Sequence, residues 1–173
     1  DAPIDVLVLE VGIGGEWDAT NVADADVAVF TAIDLDHQET LGGTVEEIAQ
    51  TKAGITKPNS IVVSSVQQPG VASILRTRAS QEVFIAGDEF GYSEISPDGF
   101  GTRFSVQGIW AEYPELWMPI IGQHQAENAA TAIVATEAFL GRAIADEVLR
   151  SALADAVSPG RLQVISKQPL VVI

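Results

Sequence analysis

Residues 27–63 read VAVFTAIDLDHQETLGGTVEEIAQTKAGITKPNSIVV, and this stretch decides the fold class. The apolar runs VAVFTA (27–32) and IVV (61–63) are typical of strands that are buried on both faces of a parallel sheet. The segment between them, residues 44–55, has the pattern of a helix that Thr44 can cap. A strand, a helix and a second strand in this order predict a parallel α/β unit with a right-handed crossover.

The alternation of strands and helices extends on both sides of this stretch. Before it, the apolar run VLVLEV (6–11) predicts another buried strand, which ends at the glycines of GIGG (12–15). After it, the pattern predicts a helix over 69–79 and a strand over 83–85. We therefore predict a mostly parallel sheet flanked by helices, and we expect ligands beyond the carboxyl ends of its strands.

The pattern changes between about residue 90 and residue 121, where glycine, proline and aromatic residues separate short alternating runs. Such runs are typical of antiparallel hairpins, so the stretch predicts a small antiparallel β subdomain. Trp110 and Trp117 are expected to pack across its strands.

The last third of the chain returns to helical patterns. Residues 123–140 predict a long alanine-rich helix, residues 146–157 predict a second helix, and short strands are expected over 162–165 and 170–173. We predict that residues 1–173 form a single α/β domain, with the hairpins as an insertion. The buried stripe of the long helix is expected to comprise Ala126, Ala129, Ala130, Ile133, Val134 and Phe139.

The composition excludes several classes of function. Of the 173 residues, 47% are hydrophobic, and 24 acidic residues against 9 basic ones give a net charge of −15. Such a field repels nucleic acid and anionic membranes. The chain has no cysteine, which excludes disulfides and thiolate metal sites. With no signal peptide and no apolar run of roughly 20 residues, the sequence predicts a cytoplasmic protein.

Four side chains in the first third of the chain are candidates for chemistry. A carboxylate within an apolar strand, as expected for Glu10, is costly unless it is ion-paired in the core or binds a metal. Asp36 and His37 follow the strand at 27–32, where they are either ligands of a divalent ion or a helix cap and a solvated histidine. Lys52 shares the apolar face of its helix, as a snorkelling side chain or as a desolvated functional lysine.

A second group of candidates lies in the last third of the chain. Gln125 and Asn128 share a face at the start of the long helix, where they can read a nucleobase edge or cap the helix. Arg161 follows a Pro-Gly turn and can pair with a phosphate or with a surface carboxylate.

The candidate residues belong to six short motifs that are spread along the whole chain. In order, these are EVGIGG (10–15), DATN (18–21), DH (36–37) with LG (41–42), KAGI (52–55), GQHQ (122–125) with NAA (128–130), and PGR (159–161). Together they resemble the motifs of the folylpolyglutamate synthase family. Its bacterial members are often also dihydrofolate synthases, and the family belongs to the Mur ligase superfamily.

The resemblance implies an ATP-dependent ligase. Such enzymes phosphorylate a carboxylate of folate or dihydropteroate with ATP, and the amine of glutamate then attacks the acyl phosphate to give an amide. Both reactants are anions, so Mg²⁺ and cationic groups must neutralise them. The expected partners are therefore small molecules, namely ATP, folate or dihydropteroate, and glutamate.

The resemblance also implies roles for the candidate residues. Glu10 and His37 match Mg²⁺ ligands, and Lys52 matches a catalytic lysine that is carbamylated in many members. Trp17, Asp18 and Ala19 fall in the stretch that contacts the pterin substrate. In the last third of the chain, Gln125 and Asn128 match residues that face the nucleotide, and Arg161 matches one that contacts its phosphates.

Two parts of the family pattern do not occur in this sequence. We expect the P-loop before Asp1 and a C-terminal domain after Ile173, so the chain is predicted to be a partial central ATPase domain, monomeric and inactive alone. Two alternatives stay open. One is a non-catalytic domain that binds a nucleotide or a partner, and the other is a ligase of peptidoglycan precursors from the same superfamily.

Overall fold

The computed structural model describes residues 3–159, 164–167 and 170–172. Its internal contacts divide the chain into two compact units. The first unit comprises residues 1–62 and 67–83, and the second unit comprises residues 63–66 and 84–173. Whether the chain forms the single domain that the sequence predicts stays a prediction, because this division does not decide whether the units fold separately.

The predicted parallel sheet is confirmed and has three strands in the order β1–β2–β3. The helices between these strands follow the expected alternation, with a short helix α1 before the longer helices α2 and α3. The bounds are β1 (Val27–Phe30), α1 (Gln38–Leu41), α2 (Val45–Ala53), β2 (Ile61–Ser64), α3 (Pro69–Arg78) and β3 (Val83–Ile85).

Helix α2 begins where the sequence places its cap. The Thr44 hydroxyl accepts a hydrogen bond from the Glu47 amide at 3.2 Å, and the Glu47 carboxylate accepts one from the Thr44 amide at 3.3 Å. This reciprocal capping box satisfies amides that the first turn would otherwise leave unpaired. The next turn buries Ile48 and Ala49 completely in the core of the first unit.

The prediction of a buried strand over 6–11 is wrong. The structure assigns no strand there, and the side chains from Ile4 to Leu9 are exposed, with Val8 88% exposed. A strand needs a neighbour that supplies its ladder hydrogen bonds, and no described residue does so for this segment. The apolar pattern therefore predicts a preference for burial, but it cannot supply the covering element.

The predicted antiparallel subdomain is confirmed in the second unit, where three strands pair in the order β4–β5–β6. These are β4 (Gly91–Asp98), β5 (Gly101–Gln107) and β6 (Glu112–Met118). One face buries Phe104, Leu116 and Met118. The expected packing of Trp110 is wrong, because this residue lies in the β5–β6 turn and is 58% exposed. Trp117 pairs with Arg103 across the strands.

The long helix has the predicted bounds, and a shorter helix and two paired strands follow it. They are α4 (Gln123–Leu140), α5 (Asp146–Ala154), β7 (Val164–Lys167) and β8 (Leu170–Val172). The predicted strand residues at 162, 163 and 173 lie outside the described residues. Phe139 is 43% exposed and does not belong to the buried stripe, whereas Glu137 is completely buried in it. The buried residues at 130, 133, 134, 137 and 138 keep helical spacing, so the stripe runs straight to the end of the helix and Phe139 lies outside it.

None of the described helices is both long enough and apolar enough to cross a membrane.

Candidate functional site

The loop that follows Glu10 is organised by a single carboxylate. Asp18 Oδ2 accepts hydrogen bonds from the amides of Gly12 and Ile13, both at 3.1 Å. Asp18 Oδ1 accepts from the Thr20 amide at 2.9 Å and from the Thr20 hydroxyl at 2.6 Å. These bonds, first of all that of the Thr20 hydroxyl, lower the pKa of Asp18 to about 2. The carboxylate is therefore ionised at neutral pH and holds both ends of the loop.

Two glycines let the loop approach the end of helix α2. A Cβ at residue 15 would lie 2.7 Å from the carbonyl oxygen of Lys52, and one at residue 54 would lie 2.5 Å from Glu16 Cβ. Side chains at either position would clash with their neighbours, so only glycine fits without a shift of the backbone. The Glu16 amide donates to the carbonyl of Thr51 at 3.0 Å and closes this contact.

The same loop also contacts helix α1, which begins directly after His37. A Cβ at Gly14, whose φ is 74°, would lie 3.0 Å from Leu41 Cδ2 and 3.5 Å from Thr51 Cγ2. The loop thus lies against both α1 and the last turn of α2. The loop between the first two motifs therefore contacts the short helix that follows His37 and the end of the helix that carries Lys52.

Asn21 connects the second motif to the fourth. Its side-chain amide donates to the carbonyl of Glu16 at 2.9 Å and to that of Gly54 at 3.3 Å. The ammonium group of Lys57 donates to the main-chain carbonyl of Asn21 at 2.8 Å. The DATN and KAGI motifs are thus joined by one direct hydrogen bond, from Asn21 to Gly54.

Glu10 is exposed in the structure and does not lie in a strand. The alternative of an ion-paired glutamate in the core is therefore wrong for this residue. The described part of the chain contains no group of three histidine, aspartate or glutamate side chains that could hold a metal ion by themselves. The predicted pair of ligands, Glu10 and His37, is smaller than such a group and stays a prediction.

His37 has an unusual backbone conformation. It precedes the first residue of α1 with φ 51° and ψ 39°, in the left-handed region that residues with a Cβ rarely adopt. Its ring lies 3.5 Å from Asp36 Oδ2, and its side chain is more than half exposed. Such residues persist only where the surrounding structure holds them in place. They are found most often at active sites and ligand sites.

Lys52 lies in the last turn of α2 and is half-buried beside the core residues Ile48 and Ala49. A cation at the end of a helix is also favoured by the helix dipole. Its place on the apolar face, predicted from the sequence, is confirmed.

Two residues of the predicted substrate stretch, Trp17 and Ala19, are exposed. Trp17 is 87% exposed, and Ala19 begins a short 3₁₀ helix, Ala19–Val22. Asp18 differs from both, because its carboxylate is engaged by amides and a hydroxyl of its own loop.

The start of α4 carries the predicted nucleotide-binding residues. Gln125 is half-buried and Asn128 is exposed. Between them, Glu127 accepts a hydrogen bond from Gln123 Nε2 at 3.1 Å. Burial raises the pKa of Tyr92, and the charge of Glu127, to which Tyr92 is also hydrogen-bonded, raises it further. Arg161 lies outside the described residues.

The sequence analysis missed a buried network around Glu137. Its carboxylate accepts from the amide of Ile109 at 2.8 Å and from the hydroxyl of Tyr113 at 2.7 Å. The Tyr113 oxygen accepts in turn from the Ile144 amide at 2.8 Å. Burial, and then the bond to Glu137, raise the pKa of Tyr113 to about 12. A signal was present in the sequence, since a glutamate at residue 137 lies one turn after the apolar pair at 133 and 134.

Comparisons with known proteins agree with the motif pattern. Residues 1–136 match the sequence model of a family described as "Mur ligase middle domain". The dihydrofolate synthase/folylpolyglutamate synthase of Mycobacterium tuberculosis is 38% identical over 186 residues, which cover 100% of this chain and 38% of that relative.

Solved structures of folylpolyglutamate synthases are also similar to this chain. Mycobacterium tuberculosis folylpolyglutamate synthase complexed with ADP and AMPPCP has a TM-score of 0.90 at 38% identity, covering 99% of this chain and 40% of that one. The apo form of L. casei FPGS has a TM-score of 0.91 at 33% identity, covering 98% of this chain and 43% of that one. The chain thus spans about two-fifths of the length of these relatives.

Proposed function

Because this chain belongs to the Mur ligase middle-domain family, we propose that it is the central part of an ATP-dependent ligase that joins L-glutamate to folate or dihydropteroate. The observation that carries the proposal is the meeting of four motifs in the first unit. The glycines at 14 and 15 lie against Leu41 and Lys52, and Asn21 bonds to Gly54. A site whose residues come from motifs distant in sequence requires contacts of this kind between the segments that carry them.

The chemistry begins with a transfer of the γ-phosphoryl group of ATP to a substrate carboxylate, which gives ADP and an acyl phosphate. The amine of glutamate attacks the acyl carbon, the amide bond forms, and inorganic phosphate leaves with the C–O electron pair. A carboxylate is a poor electrophile, and its activation as an acyl phosphate supplies the leaving group.

The donor set suits a magnesium ion that is shared with the nucleotide. Mg²⁺ is usually held by one or two carboxylates together with substrate phosphates, and seldom by a cage of protein ligands alone. The exposed carboxylate of Glu10 and the strained His37 would supply the protein's donors. When bound, the ion would neutralise charge on the phosphates.

Lys52 would act as a carbamate. The uncharged amine would form an N–C bond to CO₂ and release one proton, which leaves a carbamate anion in the last turn of α2. The resulting carboxylate-like group would then face the metal and the acyl phosphate.

The substrates are assigned by position. Trp17 offers an exposed indole on which a flat pterin ring can stack, with Ala19 beside it. In the second unit, Gln125 and Asn128 would contact the nucleotide, and Arg161 its phosphates. The enzyme is placed in the cytoplasm as a monomer, and the net charge of −15 disfavours nucleic acid and anionic membranes as partners.

The test is an assay of ATP-dependent glutamate incorporation. The product of the complete reading frame that encodes this chain should convert dihydropteroate or folate, whereas the 173-residue chain should be inactive. If nucleotide binds but no conjugate forms with either protein, the domain is non-catalytic. Turnover of a UDP-sugar precursor in place of a folate would identify a peptidoglycan ligase.

A further inference from the structure

The carboxamide of Gln67 continues the pairing of strand β1 beyond its last residue, Phe30. Its Nε2 donates to the carbonyl of Thr31 at 2.8 Å, and its Oε1 accepts from the amide of Ile33 at 3.0 Å. In a parallel ladder, one residue donates to and accepts from two residues that lie two apart on the neighbouring strand. The side chain of Gln67 therefore makes the pair of bonds that a main-chain residue of such a strand would make.

The main chain at Gln67 no longer follows strand β2, which lies beside β1 in the sheet. Strand β2 ends at Ser64, and Pro69 is the first residue of α3. Proline favours this position because its fixed φ suits a helix and it has no amide hydrogen to satisfy. A primary carboxamide carries both a donor and an acceptor, so glutamine can replace the main-chain pairing that ends where the chain turns into α3.

The bonds of Gln67 fix the residue from which the His37 loop, residues 34–37, begins. Ile33, directly before this loop, is 5% exposed and belongs to the core of the first unit. Within the loop, the amides of Leu35 and His37 each donate at 2.8 Å to the aspartate that precedes them. At the far end, the carbonyl of His37 accepts from two amides of α1, both at 2.9 Å. The loop is therefore held at one end by Gln67 and at the other end by α1.

Anchors on both sides explain how the strained backbone of His37 is maintained. A residue with a Cβ stays at φ 51° and ψ 39° only where the surrounding structure fixes it. Loss of the Gln67 bonds would release the His37 loop at Ile33 and leave its contact with α1 intact. The backbone of His37 would then relax, and its imidazole would lose its fixed position.

We propose that Gln67 is a positioning residue that acts through Ile33 and the His37 loop to hold the imidazole of His37 in place for magnesium. This proposal rests on the proposed ligase function and makes it more specific, since Gln67 belongs to none of the six motifs. Groups that orient a metal ligand change metal affinity or activity about 10- to 100-fold when they are removed. The expected effect of losing Gln67 is at the lower end of this range, because its bonds reach His37 through the main chain.

The test measures Mg²⁺ binding to the product of the complete reading frame in the presence of a non-hydrolysable ATP analogue. Gln67→Met keeps the length of the side chain and removes both bonds, and we expect it to weaken Mg²⁺ binding about tenfold, with little change in the folate KM. Gln67→Glu keeps the acceptor for Ile33 but loses the donor to Thr31, so it should have a smaller effect. Gln68→Met is the matched control, because Gln68 is exposed and its side chain does not cap α3.

A double variant separates an effect through His37 from general damage to the fold. His37→Ala removes the imidazole, so Gln67→Met should weaken Mg²⁺ binding no further in that background. An equal further loss in the double variant would overturn the proposal, since Gln67 would then act on another part of the protein. Unchanged Mg²⁺ binding in the single variant Gln67→Met would overturn it as well.

Hydrogen exchange in the same protein without ligands tests the first step. The Ile33 amide should exchange faster in Gln67→Met than in the wild type, because it loses its acceptor. Unchanged exchange would show that Gln67 does not hold the end of β1, and the proposal would fail. If the wild type binds Mg²⁺ with the ATP analogue but forms no glutamate conjugate, the ligase function fails, and the binding data still decide whether Gln67 positions His37. If the wild type binds no Mg²⁺ with the analogue, the positioning role fails.

Discussion

Gly15 packs directly on the main chain of Lys52, so that a Cβ at residue 15 would lie 2.7 Å from the Lys52 carbonyl oxygen and 2.9 Å from its Cα. The contact joins a glycine of the first motif to the lysine of the fourth. It explains why a glycine is needed there, because the neighbouring atoms belong to the backbone of a helix and cannot move aside. Any substituent must displace the loop or the end of α2.

A substitution of Gly15 by alanine should therefore destabilise the first unit. We expect Gly15→Ala to lower the free energy of unfolding by about 1–3 kcal/mol through overpacking. Thermal or denaturant unfolding of the 173-residue chain measures the effect. Gly91→Ala is the matched control, since a Cβ at residue 91 meets nothing within 4 Å. Equal stability of the two variants would contradict the proposed contact.

The stability of the second unit should depend on the buried carboxylate of Glu137, as that of the first unit depends on Gly15. Glutamine at this position keeps the shape but turns an NH₂ group toward either the Tyr113 hydroxyl or the amides of Ile109 and Trp110. We expect Glu137→Gln to cost about 1–3 kcal/mol of unfolding free energy, because buried donors lose their acceptor. The exposed Glu112→Gln variant should change stability little, and a similar loss in both would count against the network.

Both tyrosines of the chain should ionise at a higher pH in the folded protein than in the unfolded chain. The pKa of Tyr113 is raised to about 12, mainly by burial and then by the Glu137 hydrogen bond, and that of Tyr92 is raised by burial and by Glu127. In the unfolded chain a tyrosine ionises near pH 10. The stabilising contribution of Tyr113 is therefore complete below about pH 10 and is lost as the pH rises toward about 12.

An alkaline titration followed by tyrosinate absorbance tests this order. Tyr92→Phe isolates the transition of Tyr113, and Tyr113→Phe isolates that of Tyr92, because the chain has only two tyrosines. A transition of Tyr113 at its ordinary pKa in a folded protein would show that the hydroxyl does not lie beside Glu137.

The local fold could be predicted where sequence pattern and covering elements agree. Thr44 capped α2 as expected, and the bounds of α4 were predicted correctly, because both depend on neighbours within a few residues. The prediction of a strand over 6–11 failed for the opposite reason, since the pairing of a strand depends on residues far away in sequence. The prediction that Trp110 packs across the strands failed because this residue lies in a turn and not in a strand.

The site could be predicted in part, since single motifs give residue types but not their mutual placement. The glycines of EVGIGG were expected to let a ligand approach, yet Gly15 is needed for the approach of α2. The hydrogen bonds of Asp18 to Gly12, Ile13 and Thr20 were not predicted, and its role as a substrate contact stays a prediction. The sequence analysis missed Glu137 because a charged residue was not expected on the buried stripe, although it lies one turn after residues 133 and 134.

Carbamylation of Lys52 should be visible as a mass equal to one added CO₂ that is lost on acidification. In the active protein, Lys52→Ala should abolish glutamate incorporation, and added short-chain carboxylates should restore part of it by replacing the anion. Lys52→Arg keeps the positive charge but cannot carry the carbamate, so it should be as inactive as alanine. Full activity of Lys52→Arg would exclude a carbamate in the reaction.

Two substitutions at His37 test separately what its backbone conformation does for stability and what its imidazole does for activity. At φ 51° and ψ 39° a residue with a Cβ is strained by about 1–2 kcal/mol, and glycine is not. His37→Gly and His37→Ala both remove the imidazole, so both should lower ligase activity if the ring is a metal ligand. Only the alanine variant keeps the strain, and His37→Gly should therefore be the more stable of the two by about 1 kcal/mol, less the entropy that glycine adds to the unfolded chain. Unfolding and activity measured on the same pair decide both points. An active His37→Gly variant would remove the imidazole from the mechanism. A glycine variant less stable than the alanine variant would show that residue 37 is not held in the left-handed region.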